Sequence, residues 1–178
     1  MPTSTADLWE TIASDAGQES TLWTRALRPR DEQEREPVFS LLGEERFALG
    51  IETIYEGYLL HYGTPRLFSP EDQDTALLLG DYLYAHGLVR IEEVGTVEAV
   101  SDLAELIALC AYLRAEAIAG DGAAWAATAV ALGRGELDPG RTSLRLDNDP
   151  LPLERLARTH AGDGAVDAAL AAHSGRLR

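Results

Sequence analysis

The sequence predicts an all-α fold, a helical bundle, and three observations carry that expectation. Long segments repeat apolar residues at helical spacing, as at Phe47, Ile51, Ile54, Tyr55, Tyr58 and Tyr62, which fall on one side of a helix. No stretch alternates apolar and polar residues as a half-buried strand does. Helix start and stop signals stand where the spacing begins and ends: Ser69-Pro70-Glu71-Asp72 opens one helix, and Gly63 and Gly95 close others. A length of 178 residues with 46% apolar composition suits one domain with a proper core.

Taken in order, Ser4 and Asp7 have capping-box spacing and open a helix over 6–16, with Leu8, Trp9, Ile12 and Ala16 on one face. The charged run from Arg28 to Pro37 lacks an apolar face and is expected as an exposed linker. A helical pattern starts at Val38 and stops at Gly63, where Pro65 prevents continuation. Leu49, Leu59 and Leu60 lie off its apolar stripe, so this helix should be covered on more than one side. Ser69 as N-cap and Pro70 at the first helical position begin the next helix, which reaches about Val94. Thr96 caps another to about Ala119, and a small-residue helix covers 123–132. The stretch 133–152, rich in Gly, Pro and Asp, is expected as loop, with short helices at 153–159 and 166–172. The organisation predicted is an N-terminal helix and linker over 1–37, a helical core over 38–133, and a loop with short C-terminal helices over 134–178.

Composition excludes several functions. The net charge of −15, with arginine but no lysine, disfavours nucleic acid, whose binding depends on cations that neutralise phosphates. No apolar run approaches the ~20 residues of a membrane helix, and no secretory signal is evident, so a cytoplasmic protein is expected. The single Cys110, within Leu106–Leu113, is expected as a buried structural thiol.

The candidate chemistry is acidic. Glu52 and Glu56 are one helical turn apart on one face, and such a pair can share Mg²⁺, which completes its shell with water and substrate phosphates. The alternative is two glutamates facing solvent. Asp81 sits among Leu79, Leu83 and Tyr84, where a carboxylate needs a partner or a polar cleft. His61 is the neighbouring candidate, but no Glu-x-x-His pair supports a di-iron site, and no phosphate loop, H-E-x-x-H or G-x-S-x-G motif occurs.

Leu79-Gly80-Asp81-Tyr82-Leu83-Tyr84-Ala85 resembles the A-G-D-y-L helix that follows the first aspartate-rich motif of the trans-polyprenyl diphosphate synthases. In that family D-D-x-x-D-x-x-x-x-R-R-G-x-P stands upstream. Gly63 and Pro65 match its G-x-P at a similar distance from Gly80. The arginine positions then fall on His61 and Tyr62, and the aspartate positions on Glu52, Thr53 and Glu56. The resemblance runs from Phe47 to Glu116 and implies an isoprenoid-synthase-like helical fold.

The departures shape what the resemblance implies. Two carboxylates stand where the family has three, and His61-Tyr62 replaces the arginine pair. The family's G-E-x-x-Q falls on Leu113-Arg114-Ala115-Glu116, and no K-T pair or second aspartate-rich motif is found; Asp147-Asn148-Asp149 lies in a proline-flanked stretch. Ionising a diphosphate ester needs several cations and Mg²⁺ to absorb developing charge, more than these residues supply. The resemblance therefore implies a truncated, degenerate chain that does not catalyse on its own, similar in kind to the small component of heptaprenyl diphosphate synthase. Its expected partner is a catalytic prenyl diphosphate synthase subunit, or a second copy by self-association. Two alternatives stand beside it: a small Mg²⁺-dependent enzyme or binding protein for a diphosphate or isoprenoid ligand, using Glu52, Glu56 and Asp81, and a ligand-free helical scaffold.

Overall fold

The computed structural model describes residues 5–178, with the side chains of 5–7 left aside. Among the described residues the architecture is all-α, a helical bundle without strands, and its only extended pairings are isolated bridges from Leu27 to Phe68 and from Gly63 to Leu177. The order is α1 (Thr5–Glu19), α2 (Thr21–Ala26), α3 (Ala48–Tyr62), α4 (Gln73–Val94), α5 (Val97–Ala115), α6 (Asp121–Ala131), α7 (Asp138–Asp147), α8 (Leu151–Ala161) and α9 (Asp163–Ser174).

Helix α3 is the centre. Every residue from Gly50 to Leu60 is buried, as expected of a helix covered on more than one side. One side carries Ile51, Ile54, Tyr55 and Tyr58 into a core completed by α5, α6, α8 and α9, including Leu106, Trp125, Leu153 and Val166. Leu60 instead joins a second cluster, where Trp9, Ile12 and Trp23 from α1 and α2 meet Phe68, Leu79 and Leu83.

Helix α4 lies on α3 at backbone contact because two pairs of glycines face each other. A Cβ on Gly57 would sit 2.8 Å from the Gly80 carbonyl oxygen. One on Gly87 would sit 2.3 Å from Ile54 Cγ1 and 3.2 Å from the Gly50 carbonyl oxygen. The spacing of seven between members, Gly50 with Gly57 and Gly80 with Gly87, puts both contacts on one line of each helix.

Several element boundaries differ from expectation, each for a physical reason. The first helix runs on through Gly17 to Glu19; its capping Ser4 lies outside the described residues. The pattern from Val38 is not yet helix: the chain makes short 3-10 turns at Ser40–Leu42 and Glu45–Phe47 before α3 starts. Gly43 there packs so closely that a Cβ would lie 2.2 Å from the Ala129 carbonyl oxygen. Helix α4 is capped by Asp72, whose carboxylate accepts Thr75 N–H at 2.7 Å, rather than by Ser69. Ser69 N–H is given to the Ala26 carbonyl at 2.7 Å, which holds Ser69 and Pro70 outside the helix.

Helix α5 ends at Ala115, where Ala117 takes a positive φ of 54°. Within the expected loop, residues 138–147 form α7, with Pro139 in its first turn and Asn148 left-handed at its end. Of its two leucines only Leu144 is buried, Leu146 being exposed, and Arg141 anchors the helix by binding Asp102 at 3.0 Å. The expected linker lies against the body: Arg28 N–H donates to Leu67 O at 2.9 Å and Glu34 N–H to Arg66 O at 3.2 Å.

Candidate functional site

Glu52 and Glu56 project from one face of α3, as the spacing requires, and both are fully buried. Between them lies Arg66, also fully buried, which reaches back from the turn after Pro65. Its Nη1 donates to Glu52 Oε2 at 2.6 Å and its Nε to Glu56 Oε2 at 3.0 Å. The other carboxylate oxygens take backbone donors. Glu52 Oε1 accepts Val38 and Ser40 N–H, both at 3.1 Å. Glu56 Oε1 accepts Arg66 N–H at 2.8 Å and Leu67 N–H at 2.7 Å.

The guanidinium also lies over the rings of Trp9 at 4.5 Å and Tyr55 at 5.0 Å, which ties α1 to the centre. Burial pushes the Arg66 pKa down, but Glu52 and Glu56 more than offset it and hold the group charged. All four carboxylate oxygens therefore point at N–H donors in a dry site. Mg²⁺ sharing these acids needs room for water and phosphate oxygens, and that space is filled by the arginine. Arg66 is the residue sequence reasoning missed. Its only signal is a lone cation following the Gly63-Thr64-Pro65 turn and preceding the apolar Leu67-Phe68.

Thr53, at the second motif position, is also buried; it donates to Leu49 O at 2.6 Å and accepts from Arg90. Arg90 in turn holds Asp15 of α1 at 2.6 Å. The three motif positions thus serve as anchors for neighbouring segments.

Asp81 is elsewhere. Because α4 meets α3 through Gly80 and Gly87, Asp81 turns outward with its side chain 70% exposed, not embedded among leucines. Its Oδ1 lies 3.1 Å from His61 Nε2. Burial pushes the His61 pKa down and Asp81 only partly restores it, so His61 is neutral at neutral pH. His61 stacks on Tyr84 with ring centroids 5.1 Å apart, and Tyr62 packs beside Tyr58 at 5.1 Å. The structure pairs Glu52 with Glu56, and His61 with Asp81. Among the described residues it assembles no group of three or more His, Cys, Asp or Glu that could hold a metal ion.

Gly63 and Pro65 shape the turn that delivers Arg66. Gly63 also admits the C-terminal segment, since a Cβ there would lie 2.6 Å from Arg176 O, and Thr64 N–H donates to that oxygen at 2.8 Å. Two open clefts flank this turn, one of about 420 Å³ lined by Arg28, His61, Ser69 and Arg178, the other of about 500 Å³ lined by His61, Tyr62, Arg114 and Arg178.

A second polar network closes the other side of α3. Asp121 accepts from the Tyr58 hydroxyl and from Arg114 Nη2, the latter at 2.5 Å, and His173 Nε2 lies 3.6 Å away. His173 Nδ1 meets the Tyr55 hydroxyl at 2.9 Å, so α3, α5, α6 and α9 share one cluster. Burial pushes the Asp121 carboxyl up, but His173, Tyr58 and Arg114 outweigh that and hold it below the usual carboxylate range. Its stabilising contribution is therefore complete above the ordinary carboxylate pKa and is lost as pH falls toward the depressed folded value. Asp121→Asn should cost about 1.5–3 kcal/mol at neutral pH. That difference from wild type should narrow as denaturant unfolding is repeated at decreasing pH. Cys110, nearby and buried, has its thiol pKa pushed well up by burial, which makes it unreactive, as its setting among apolar residues predicts.

No family model, characterised protein or solved structure matches this chain. Among the described residues, no helix is long and apolar enough to cross a membrane.

Proposed function

We propose that this chain is a non-catalytic helical subunit that assists a catalytic prenyl diphosphate synthase. The observation that carries the reading is the Arg66 bridge. At Glu52 and Glu56, where the resemblance sets metal ligands, an internal guanidinium stands in for the divalent cation. A chain that keeps the Gly63, Pro65 and Gly80 frame and neutralises its own acids needs another subunit to supply the chemistry. Exposed apolar residues on α4 and α5, including Leu78 at 57% and Val89 at 53%, support a role that includes a partner.

The test is co-expression of the tagged chain with each full-length trans-prenyl diphosphate synthase of its host. The reading expects co-purification with one of them and an altered product length or yield. A chain that purifies free of all of them, leaving every product distribution unchanged, contradicts it.

A further inference from the structure

The segment after α9 lies across the turn between α3 and α4. Thr64 N–H donates to Arg176 O at 2.8 Å and Arg178 N–H to Tyr62 O at 3.2 Å, on either side of the bridge from Gly63 to Leu177. Gly63 makes room for this crossing. Its φ of −146° is extended backbone open to other residues, but a Cβ there would lie 2.6 Å from Arg176 O. The segment passes beside both clefts that flank the turn, and His61 and Arg178 line the two alike.

Few contacts hold it down. Besides the two hydrogen bonds, Arg176 Nη2 reaches Glu34 Oε2 at 2.6 Å, with Arg176 14% and Glu34 60% exposed. Leu177 is only partly buried against the main core, and Arg178 is exposed. Fixing the backbone of one residue costs at least as much as one such hydrogen bond returns, and an ion pair with an exposed partner adds little. The closed arrangement is therefore close in free energy to one with the segment lifted away.

The turn beneath is held by other means. Arg66 and Leu67 N–H donate to Glu56 Oε1 at 2.8 and 2.7 Å, and Gly63 N–H donates to Leu59 O at 2.8 Å. None of these bonds involves the crossing segment.

We propose that residues 176–178 form a strap that swings open about Gly175 while the turn and the Arg66 bridge stay in place. Opening joins the two clefts beside His61 and turns the Tyr62 carbonyl and the Thr64 N–H toward solvent. Because Glu34 is exposed, its pull on Arg176 is screened by salt, and the strap opens more as salt rises. The device holds whether or not the chain serves a prenyl synthase.

The test is native-state amide hydrogen exchange of the full chain, read residue by residue by NMR. Thr64 is exposed and its N–H is covered by the strap, so it reports opening. Its protection should be at least about tenfold below that of Arg66 and Leu67. Leu177→Ala should speed Thr64 exchange about tenfold and Glu34→Gln about threefold, with Arg66 and Leu67 unchanged. Salt at about 0.5 M should act on wild type as Glu34→Gln does, and should add nothing to that variant.

Thr64 exchange as slow as that of Arg66 and Leu67, or acceleration of all three together, overturns the proposal by making the segment a fixed part of the fold. A Thr64 amide that responds to neither variant overturns it as well, since its exchange would then not depend on the strap.

Discussion

Arg66→Met should be the most damaging single substitution in this chain, costing about 3–5 kcal/mol of unfolding free energy, because it leaves two buried carboxylates facing each other without a cation. Glu52 and Glu56 are fully buried and cannot recover their charge stabilisation from water. Denaturant midpoints of the purified variant check this. Adding Glu52→Gln and Glu56→Gln to Arg66→Met should restore part of the loss. The amide oxygens can still accept the Val38, Ser40, Arg66 and Leu67 N–H groups, and no charge remains buried. Full stability of Arg66→Met alone would mean the bridge does not hold the fold.

The second large effect is steric. Gly57→Ala sets a methyl 2.8 Å from the Gly80 carbonyl oxygen and 3.0 Å from Tyr84 Cδ1, and one of these is backbone that cannot swing away. Overpacking of this kind costs about 1–3 kcal/mol, more than the ~1 kcal/mol that alanine gains over glycine in a helix. Combined with Gly87→Ala, whose methyl would meet Ile54 Cγ1 at 2.3 Å, the loss should reach several kcal/mol by the same overpacking argument. Gly164→Ala in α9, with nothing within 4 Å, should instead be neutral or gain up to about 1 kcal/mol. Opposite signs for one chemical change at the two sites would establish that α3 and α4 need backbone contact. A harmless Gly57→Ala would refute it.

Much of the bundle was legible in the sequence because its helices obey local rules. The α3 and α4 periods, the Gly63 stop and the Thr96 cap are each set within a few residues, and they survive into the fold. The cap of α4 was misread because Ser69 satisfies every local criterion, while its N–H is claimed by Ala26, more than forty positions earlier. Helix α7 was invisible for a similar reason. Its main burial rests on Leu144 and on Arg141 bound to Asp102, and neither makes a periodic apolar pattern.

The candidate site divides the same way. The spacing of Glu52 and Glu56 does set both on one face, and the Gly80 frame does fix the α3–α4 crossing. Arg66 arrives through a turn, and the donors at Val38 and Ser40 come from a segment that the pattern assigned to helix. Only their convergence in space reveals that the acids are already paired. Asp81 parts from them because the glycine contact at Gly80 rotates it outward.

Glu52 and Glu56 hold the chain together through Arg66 rather than binding a metal. The most direct measurement is equilibrium unfolding of wild type and Glu56→Gln with and without millimolar Mg²⁺, since an ion bound only by the folded state raises stability, and does so further as its concentration exceeds its Kd. Glu56→Gln should be strongly destabilised, and Mg²⁺ should shift neither midpoint. A Mg²⁺-dependent rise in the wild-type midpoint that Glu56→Gln abolishes would contradict this.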